Sequence, residues 1–442
     1  MKLVLATNHL GLGGSESYLL TVAEQLDRLG HEAVVYTPEP EGGVAVARER
    51  SIAVIDEAGL DEEYDAALVQ DAGVCFQIAE CCPRLPQLFV AHSAKFDLQA
   101  PPQLDGIAGV IVAMNDRVAQ RMRSYAVGVE VVRLRQPIDT ERFAPRGALP
   151  EVPRSALLLS NTPSEDRLEM MEEACAKAGL RLSRLGVLSG HATDVRAALA
   201  DAEIVIGYGR SILEAMAMGR AAYVYDWKGG DGWITPETYP AIEADGIAGG
   251  AGIATVDIAH LAEDLRRYSA SMGPVNHDLV MAHHRAGAHV QELVGLLERL
   301  AEPAPRPRAP LQEMARLVRL EWRARLEING LAHENAHLHG LVREREEALE
   351  ASRLAAAHEA ERVHELRWAF EATRSWRLTR PLRALSRMRR RTARLRRSLR
   401  RAGRRGRPRA GGPGSDATTS GAGSPPPSPG GDREKAPSSP AR

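Results

Sequence analysis

Four short stretches combine residue types that could hold a phosphorylated ligand. In HLGLGGSE, Gly11, Gly13 and Gly14 stand directly before a run that reads as a helix. Lacking a Cβ, glycine lets backbone N–H groups approach a phosphate at a helix N-terminus. The order Gly11-x-Gly13-Gly14 is not the GxGxxG dinucleotide fingerprint, and an ordinary tight strand-to-helix turn has the same composition. Glu39 and Glu41 could imitate the ribose-binding acid of a dehydrogenase, but both lie in a Pro/Gly loop. In LFVAHSAKF, His92 closes an apolar run, with Lys95 close behind. Carboxyl ends of strands in open α/β sheets border the ligand crevice, so an imidazole there can reach substrate; a surface or capping histidine is the plain alternative.

The third stretch, GYGRSILEAMAMGRAAYVYD, contains Gly207, Gly209, Arg210 and Glu214. A carboxylate in the first turns of a helix is stabilised as an anion and can accept two hydroxyl hydrogen bonds. In the fourth, KGGDGWITPETY, Thr235 is expected as an N-cap with Pro236 at the first helical position, which would give a second helix N-terminus toward a ligand. Asp226, Asp231 and Glu237 are spread over a strand end, a loop and a helix, so turn and capping roles suit them better than metal ligation. Cys75, Cys81, Cys82 and Cys175 form neither a CxxC pair nor a zinc spacing, as expected of a protein of the reducing cytoplasm.

The elements that must position these residues follow from apolar runs. Leu3–Ala6, Ala33–Thr37, Ile52–Ile55, Ala66–Val69, Leu88–Ala91, Val110–Ala113 and Val129–Leu134 read as strands alternating with helices, the first helix running from an N-cap at Ser15 to Leu29. This predicts an α/β domain over 1–145. After the linker GALPEVP the pattern restarts, giving a second domain over 155–300 that closes with helices Ile258–Tyr268 and Leu279–Leu300. The 442 residues, 44% of them hydrophobic, suffice for two such cores. The opening MKLVLATNHLGLGG is too short in apolar residues for a signal peptide, and no segment is apolar enough to span a bilayer.

The remaining chain differs in kind. Over 311–372, Ile328, Asn335, Val342, Leu349, Ala356, Val363 and Phe370 recur every seven residues; Leu317, Ala324, Leu331, Leu338 and Leu366 occupy the matching d positions, which Arg345, Ser352 and Glu359 interrupt. A homodimer through a two-stranded coil and a solvated helix folded onto the body both fit. From Arg374 to Arg409 there are 17 arginines, no lysine and no acidic residue, so the net charge of −1 conceals an acidic body and a basic tail. In the segment 373–409, leucines partly segregate from arginines, which suits an anionic membrane surface on the inner face of the plasma membrane; few aromatics interleave to stack bases, which disfavours nucleic acid. Residues 410–442 are rich in Gly, Ser and Pro and should be disordered.

ADAEIVIGYGRSILEAMAMGRAAYVYD resembles the carboxyl-terminal signature of retaining GT-B glycosyltransferases of the group 1, or family 4, type. The resemblance extends to GLGGSESYLLTVAEQLDRLGHEAVVYTP and to VIVAMNDRVAQRM with VVRLRQPIDTERFAP, covering about residues 1–300. It implies a GT-B architecture, two Rossmann-like domains facing a cleft. It also implies transfer of a sugar, with retention, from a nucleotide-diphosphate sugar to a glycan, glycolipid or related cell-surface acceptor, without cofactor or metal. By position, Glu214 would hold the donor ribose, Gly207 and Gly209 would approach the sugar, and Gly11, Gly13 and Gly14 the diphosphate. His92 would contact the donor sugar at the reacting centre. Two departures stand out: Ile206 occupies the place of the family's sugar-reading glutamate, and Asn161 and Asp166 lie where a basic pair neutralises the diphosphate. Arg167 and Arg210 are expected to supply that charge. The alternative is a catalytically weakened nucleotide-sugar-binding scaffold of a glycan-assembly complex, with an NAD-dependent dehydrogenase a distant third.

Overall fold

The computed structural model describes residues 1–61, 63–94, 96–125, 128–160, 165–186, 195–226, 229–252, 257–300 and 310–403. Lys95, Asn161, most of the AEPAPRPRAP segment and the tail expected over 410–442 lie outside these, as do the side chains of Asp166 and Asp226. Residues Met1–Glu334 form one compact unit and Asn335–Arg442 another.

The chain begins β1 (Lys2–Ala6), β2 (His9–Leu10), α1 (Gly14–Arg28), β3 (Glu32–Tyr36), β4 (Glu39–Pro40), α2 (Gly43–Glu49), β5 (Ala53–Ile55) and β6 (Ala66–Val69). It continues with α3 (Ala72–Cys81), β7 (Gln87–Ala91), β8 (Val110–Ala113), α4 (Asp116–Ser124) and β9 (Glu130–Arg133). Seven of these strands form one parallel sheet, ordered β5-β3-β1-β6-β7-β8-β9. The apolar runs are continuous because both faces are covered: Leu3 and Leu5 of β1 enter one apolar cluster, Val4 and Ala6 the other. Helix α1 begins at Gly14 with Gly13 as N-cap, so Ser15 lies inside the helix rather than capping it.

The second sheet comprises β10 (Ser155–Leu159), α5 (Glu165–Ala178), β11 (Arg181–Leu185), α6 (Arg196–Asp201), β12 (Ile204–Gly207), α7 (Arg210–Ala217), β13 (Ala221–Asp226) and β14 (Gly229–Trp233). Its order is β11-β10-β12-β13-β14, parallel except for β14, an antiparallel edge strand formed by the glycine-rich stretch expected to be a loop. The two Rossmann-like sheets thus make the GT-B arrangement expected from sequence. Then come α8 (Tyr239–Ala244), α9 (Ile258–Leu265), α10 (Met272–His283) and α11 (Ala286–Leu297).

The expected helix Leu279–Leu300 is therefore two helices. The break falls where Ile138 N–H donates to the His284 carbonyl (2.7 Å) and Ala286 N–H to that of Ile138 (3.0 Å), tying the return segment to the first crossing between the sheets. Beyond it, Val290, Leu293, Leu296 and Leu297 pack into the first sheet's core, so the second domain ends before residue 300.

Helix α12 (Leu311–Ala372) and helix α13 (Arg374–Gly403) complete the described chain. The start of α12 is not a solvated seam: Leu311 and Ala315 are buried in the first sheet's core with Val318 packed beside them, while Trp322 meets Phe96 edge to face at 5.3 Å. This stripe is offset from the heptad positions, where Leu317, Ile328, Leu331, Leu338 and Val342 are all more than half exposed.

Candidate active site

In the second sheet the strand order reverses between β10 and β12, so their carboxyl ends diverge and leave a crevice. Gly209 comes after β12 at φ 64°, ψ −140°, backbone space that glycine enters far more easily than other residues, and serves as N-cap of α7 with no side-chain cap. Across from it, Gly13 caps α1 with no side-chain hydrogen bond. Gly11, Gly13, Gly14 and Gly209 all line one cavity of about 330 Å³ between the sheets. The positive ends of two helices, one from each sheet, therefore open onto a common space.

Glu214 borders this cavity and is 8% exposed. Its Oε1 accepts from Arg210 Nε at 2.8 Å. Burial pushes its carboxyl pKa up, and the guanidinium groups of Arg210, then Arg50 and Arg142, oppose that shift. Arg210 has further partners: Nη1 donates to the Pro137 carbonyl (2.9 Å) and Nη2 to Thr21 Oγ1 on α1 (3.0 Å). Arg210, the arginine expected to meet a diphosphate, lines the cavity itself, and through these bonds it also orients Glu214 and links the second sheet to the first.

Two further cations face the cavity, and sequence reasoning did not select either as a site residue. Arg50, at the end of α2, lines it while pairing with Glu24 (3.2 Å); burial first, then Arg142 and Arg210, lower its pKa, and its Nε is buried without a hydrogen-bond partner among the described residues. Arg142, in the segment after Pro137, lines it too and has no side-chain ion pair among the described residues. Only the Arg142 in ERFAP carried a signal, as part of a stretch already singled out.

His92 faces a second cavity of about 300 Å³, shared with Gln136, Glu243 and His284 and adjoining the first at Gly14, Gly209 and Arg210. Its ring packs edge to face on Tyr18 at 4.8 Å, and its Nε2 is buried without a hydrogen-bond partner among the described residues. Burial, assisted by Arg210, lowers its pKa to about 3, so the imidazole is neutral. Tyr18 hydroxyl meets His289 Nε2 at 3.0 Å, and Tyr239 hydroxyl meets His284 Nε2 at 2.8 Å. Nearby, Arg133 Nη2 donates to Glu243 Oε2 (2.5 Å) and Arg117 pairs with Asp245 (3.2 Å), holding the two sheets together on this side.

Other expected site residues stand elsewhere. Gly207 lines neither cavity; a Cβ there would meet the Leu159 carbonyl oxygen at 2.6 Å, so strand packing requires the glycine. Arg167 lies over the Tyr225 ring, 5.5 Å from its centroid, rather than at the cavity. Thr235 exchanges turn hydrogen bonds with Thr238, and α8 begins only at Tyr239, with Thr238 as N-cap and Pro240 in its first turn. Ile206 is wholly buried in an apolar cluster with Tyr223 and Leu261. Asp231 accepts the Gly252 N–H (2.5 Å), a loop-holding role.

No family model matches the chain, and no curated protein matches it. Among solved structures it is similar to Anabaena HepE in complex with UDP and glucose, at 12% identity and TM-score 0.49, over 68% of this chain and 100% of that one. It is also similar to a glycosyltransferase from Rickettsia africae at 13% identity and TM-score 0.48, over 67% and 98%. A third is a Staphylococcus aureus TarM variant in complex with fondaparinux, α-GlcNAc-glycerol and UDP, at 8% identity and TM-score 0.46, over 67% and 100%.

Proposed function

We propose that the chain is a glycosyltransferase whose interdomain cavity binds a nucleotide-diphosphate sugar and passes the sugar, with retention, to a glycan, glycolipid or related cell-surface acceptor. The observation that carries this reading is the arrangement of Arg142, Arg50 and two glycine-capped helix N-termini around one cavity, with the Glu214 carboxylate at its wall. A departing diphosphate develops negative charge, and fixed guanidinium and N–H dipoles at a partly desolvated site stabilise it without reorganising. Glu214, oriented by Arg210, keeps Oε2 for ribose hydroxyls. The neutral His92 exchanges hydrogen bonds with hydroxyls of the donor sugar in the adjoining cavity, where an acceptor can meet it. Retention rests on the resemblance of the GYGRSILEAM stretch. No cofactor or metal is required by this scheme.

A second reading, a nucleotide-sugar-binding scaffold, is favoured by one observation: Ile206 is buried in the core, so the position of the expected sugar-reading glutamate offers nothing to a ligand. Calorimetry with a panel of nucleoside diphosphates, their sugars and free nucleosides tests both. Arg142→Ala should weaken nucleoside diphosphate binding about tenfold or more while sparing the nucleoside, since it removes a charge-assisted phosphate contact. Glu214→Ala should weaken both. No binding by any member of the panel overturns the reading; binding without release of nucleoside diphosphate in the presence of acceptors selects the scaffold.

A further inference from the structure

In α13, Arg374–Gly403, a helix with 13 arginines and no acidic residue, one face is apolar and uncovered. Leu378, Leu382, Leu385 and Met388 are 79, 68, 58 and 66% exposed. Successive helical residues are rotated by about 100°, which gathers these four within an arc of about 120°. Arg380, Arg383, Arg387, Arg390, Arg391 and Arg394 fall on the opposite side. Trp376, the helix's one aromatic residue, shares that side, where the Arg383 guanidinium lies 3.3 Å from its ring centroid. Arg374, Arg389 and Arg396 fall inside the apolar arc, and a long arginine stem allows the guanidinium to reach a polar boundary while the methylenes stay apolar.

Where this helix begins is also marked. Helix α12 ends at Ala372, and Thr373 Oγ1 accepts the Trp376 N–H (3.4 Å) at the start of α13. The break coincides with the change in charge: α12 mixes glutamates with arginines up to Glu371, and past Thr373 no acid remains in α13. A distinct environment for α13 is thus encoded twice, in composition and in backbone. Among the described residues no helix is long and apolar enough to cross a membrane.

We propose that α13 lies along the surface of an anionic bilayer, its four apolar side chains in the acyl boundary and its arginines on headgroup phosphates. Nucleic acid would satisfy the arginines but leave the apolar face in water. It would also find Trp376, the one ring that could stack a base, already covered by Arg383.

Flotation of the full chain with phosphatidylcholine vesicles, with and without phosphatidylglycerol, tests this, alongside retention on immobilised poly(U). The chain should float with the phosphatidylglycerol vesicles and about tenfold less with the neutral ones, while Leu378→Glu/Leu382→Glu/Leu385→Glu should lower flotation about tenfold or more. These side chains are exposed and lie outside the unit Met1–Glu334, and an unchanged melting transition of that unit confirms that folding is untouched. Flotation equal in wild type and triple variant, or equal on neutral and anionic vesicles, overturns the proposal. So does absence of flotation, and retention on poly(U) in that case assigns the helix to nucleic acid.

Discussion

Both sheets reverse their strand order once, β1 against β6 in the first and β10 against β12 in the second, yet the two crevices hold different things. The first is filled by Thr7, Asn8, Gln70 and Asp71, none more than 3% exposed; Asp71 Oδ2 accepts from Thr7 Oγ1 (3.0 Å) and Asn8 N–H (2.8 Å). Beside it lies α12, with Val318 close against Gly73 and Arg319 donating to Gln77 (2.9 Å). The second opens onto the arginine-lined cavity. Parallel topology produces a crevice in each sheet, but the segments at the carboxyl ends of the strands decide whether it becomes core or site. A packed helix closes one, and a glycine N-cap and a strut arginine hold the other open.

The comparison can be broken most forcefully at Ile206. Along β12, Val205 faces one apolar cluster while Ile204 and Ile206 face the other, so the side chain at 206 is on the core side of an otherwise open crevice. Ile206→Glu would bury a carboxylate without a partner, and we expect a loss of about 3 kcal/mol or more in denaturant unfolding. A variant that keeps wild-type stability and binds nucleotide sugar more tightly would place residue 206 in the cavity and undo the distinction.

The same contrast explains which parts of the molecule are legible in its sequence. The strands are, because β1, β6, β7 and β8 are buried on both faces and show as unbroken apolar runs. Gly209 and Glu214 are, because one contiguous stretch contains both. Arg50 and Arg142 are not, since only tertiary folding brings the end of α2 and the segment after Pro137 to one wall. The turn of the chain at His284 is hidden because His283, His284 and Arg285 include no glycine or proline to mark a helix end. The stripe Leu311, Ala315, Val318 and Trp322 is masked by a competing heptad one face away.

A subtler probe is pH at the closed crevice. Burial raises the Asp71 pKa to about 7, with Glu16 adding slightly, against the pull of the Asn8 N–H and the Thr7 hydroxyl. Between about pH 4 and 7 the folded chain keeps a proton that the unfolded chain releases, so this group costs stability as pH rises through that window. Asp71→Asn keeps an oxygen acceptor for both donors and removes the charge. It should therefore be more stable than wild type by about 1–3 kcal/mol at pH 8, an advantage that shrinks toward pH 4. His92, His284 and His289, with pKa values lowered to about 3, 4 and 3, act in the opposite sense, losing stability as pH falls below the ordinary histidine range. They are common to both proteins and cancel in the difference between the two unfolding midpoints. A difference that does not vary with pH would mean that Asp71 is not the buried acid of this crevice.

The smallest expected effect concerns the contacts that keep α12 against the first crevice. Arg323 Nε lies 2.6 Å from Glu39 Oε1, but the arginine side chain is 64% exposed, and such pairs contribute at most about 1 kcal/mol, less as salt screens them. Trp322, 6% exposed and packed on Phe96, belongs to an apolar stripe that salt does not weaken. Arg323→Ala should accordingly lower stability by under about 1 kcal/mol in low salt and by nearly nothing in high salt, as read from paired urea titrations. A loss of about 2 kcal/mol or more would mean that charge rather than apolar packing seats the helix. The first crevice would then be closed conditionally, opening with ionic strength, and the two sheets would differ in how readily they open rather than in whether they do.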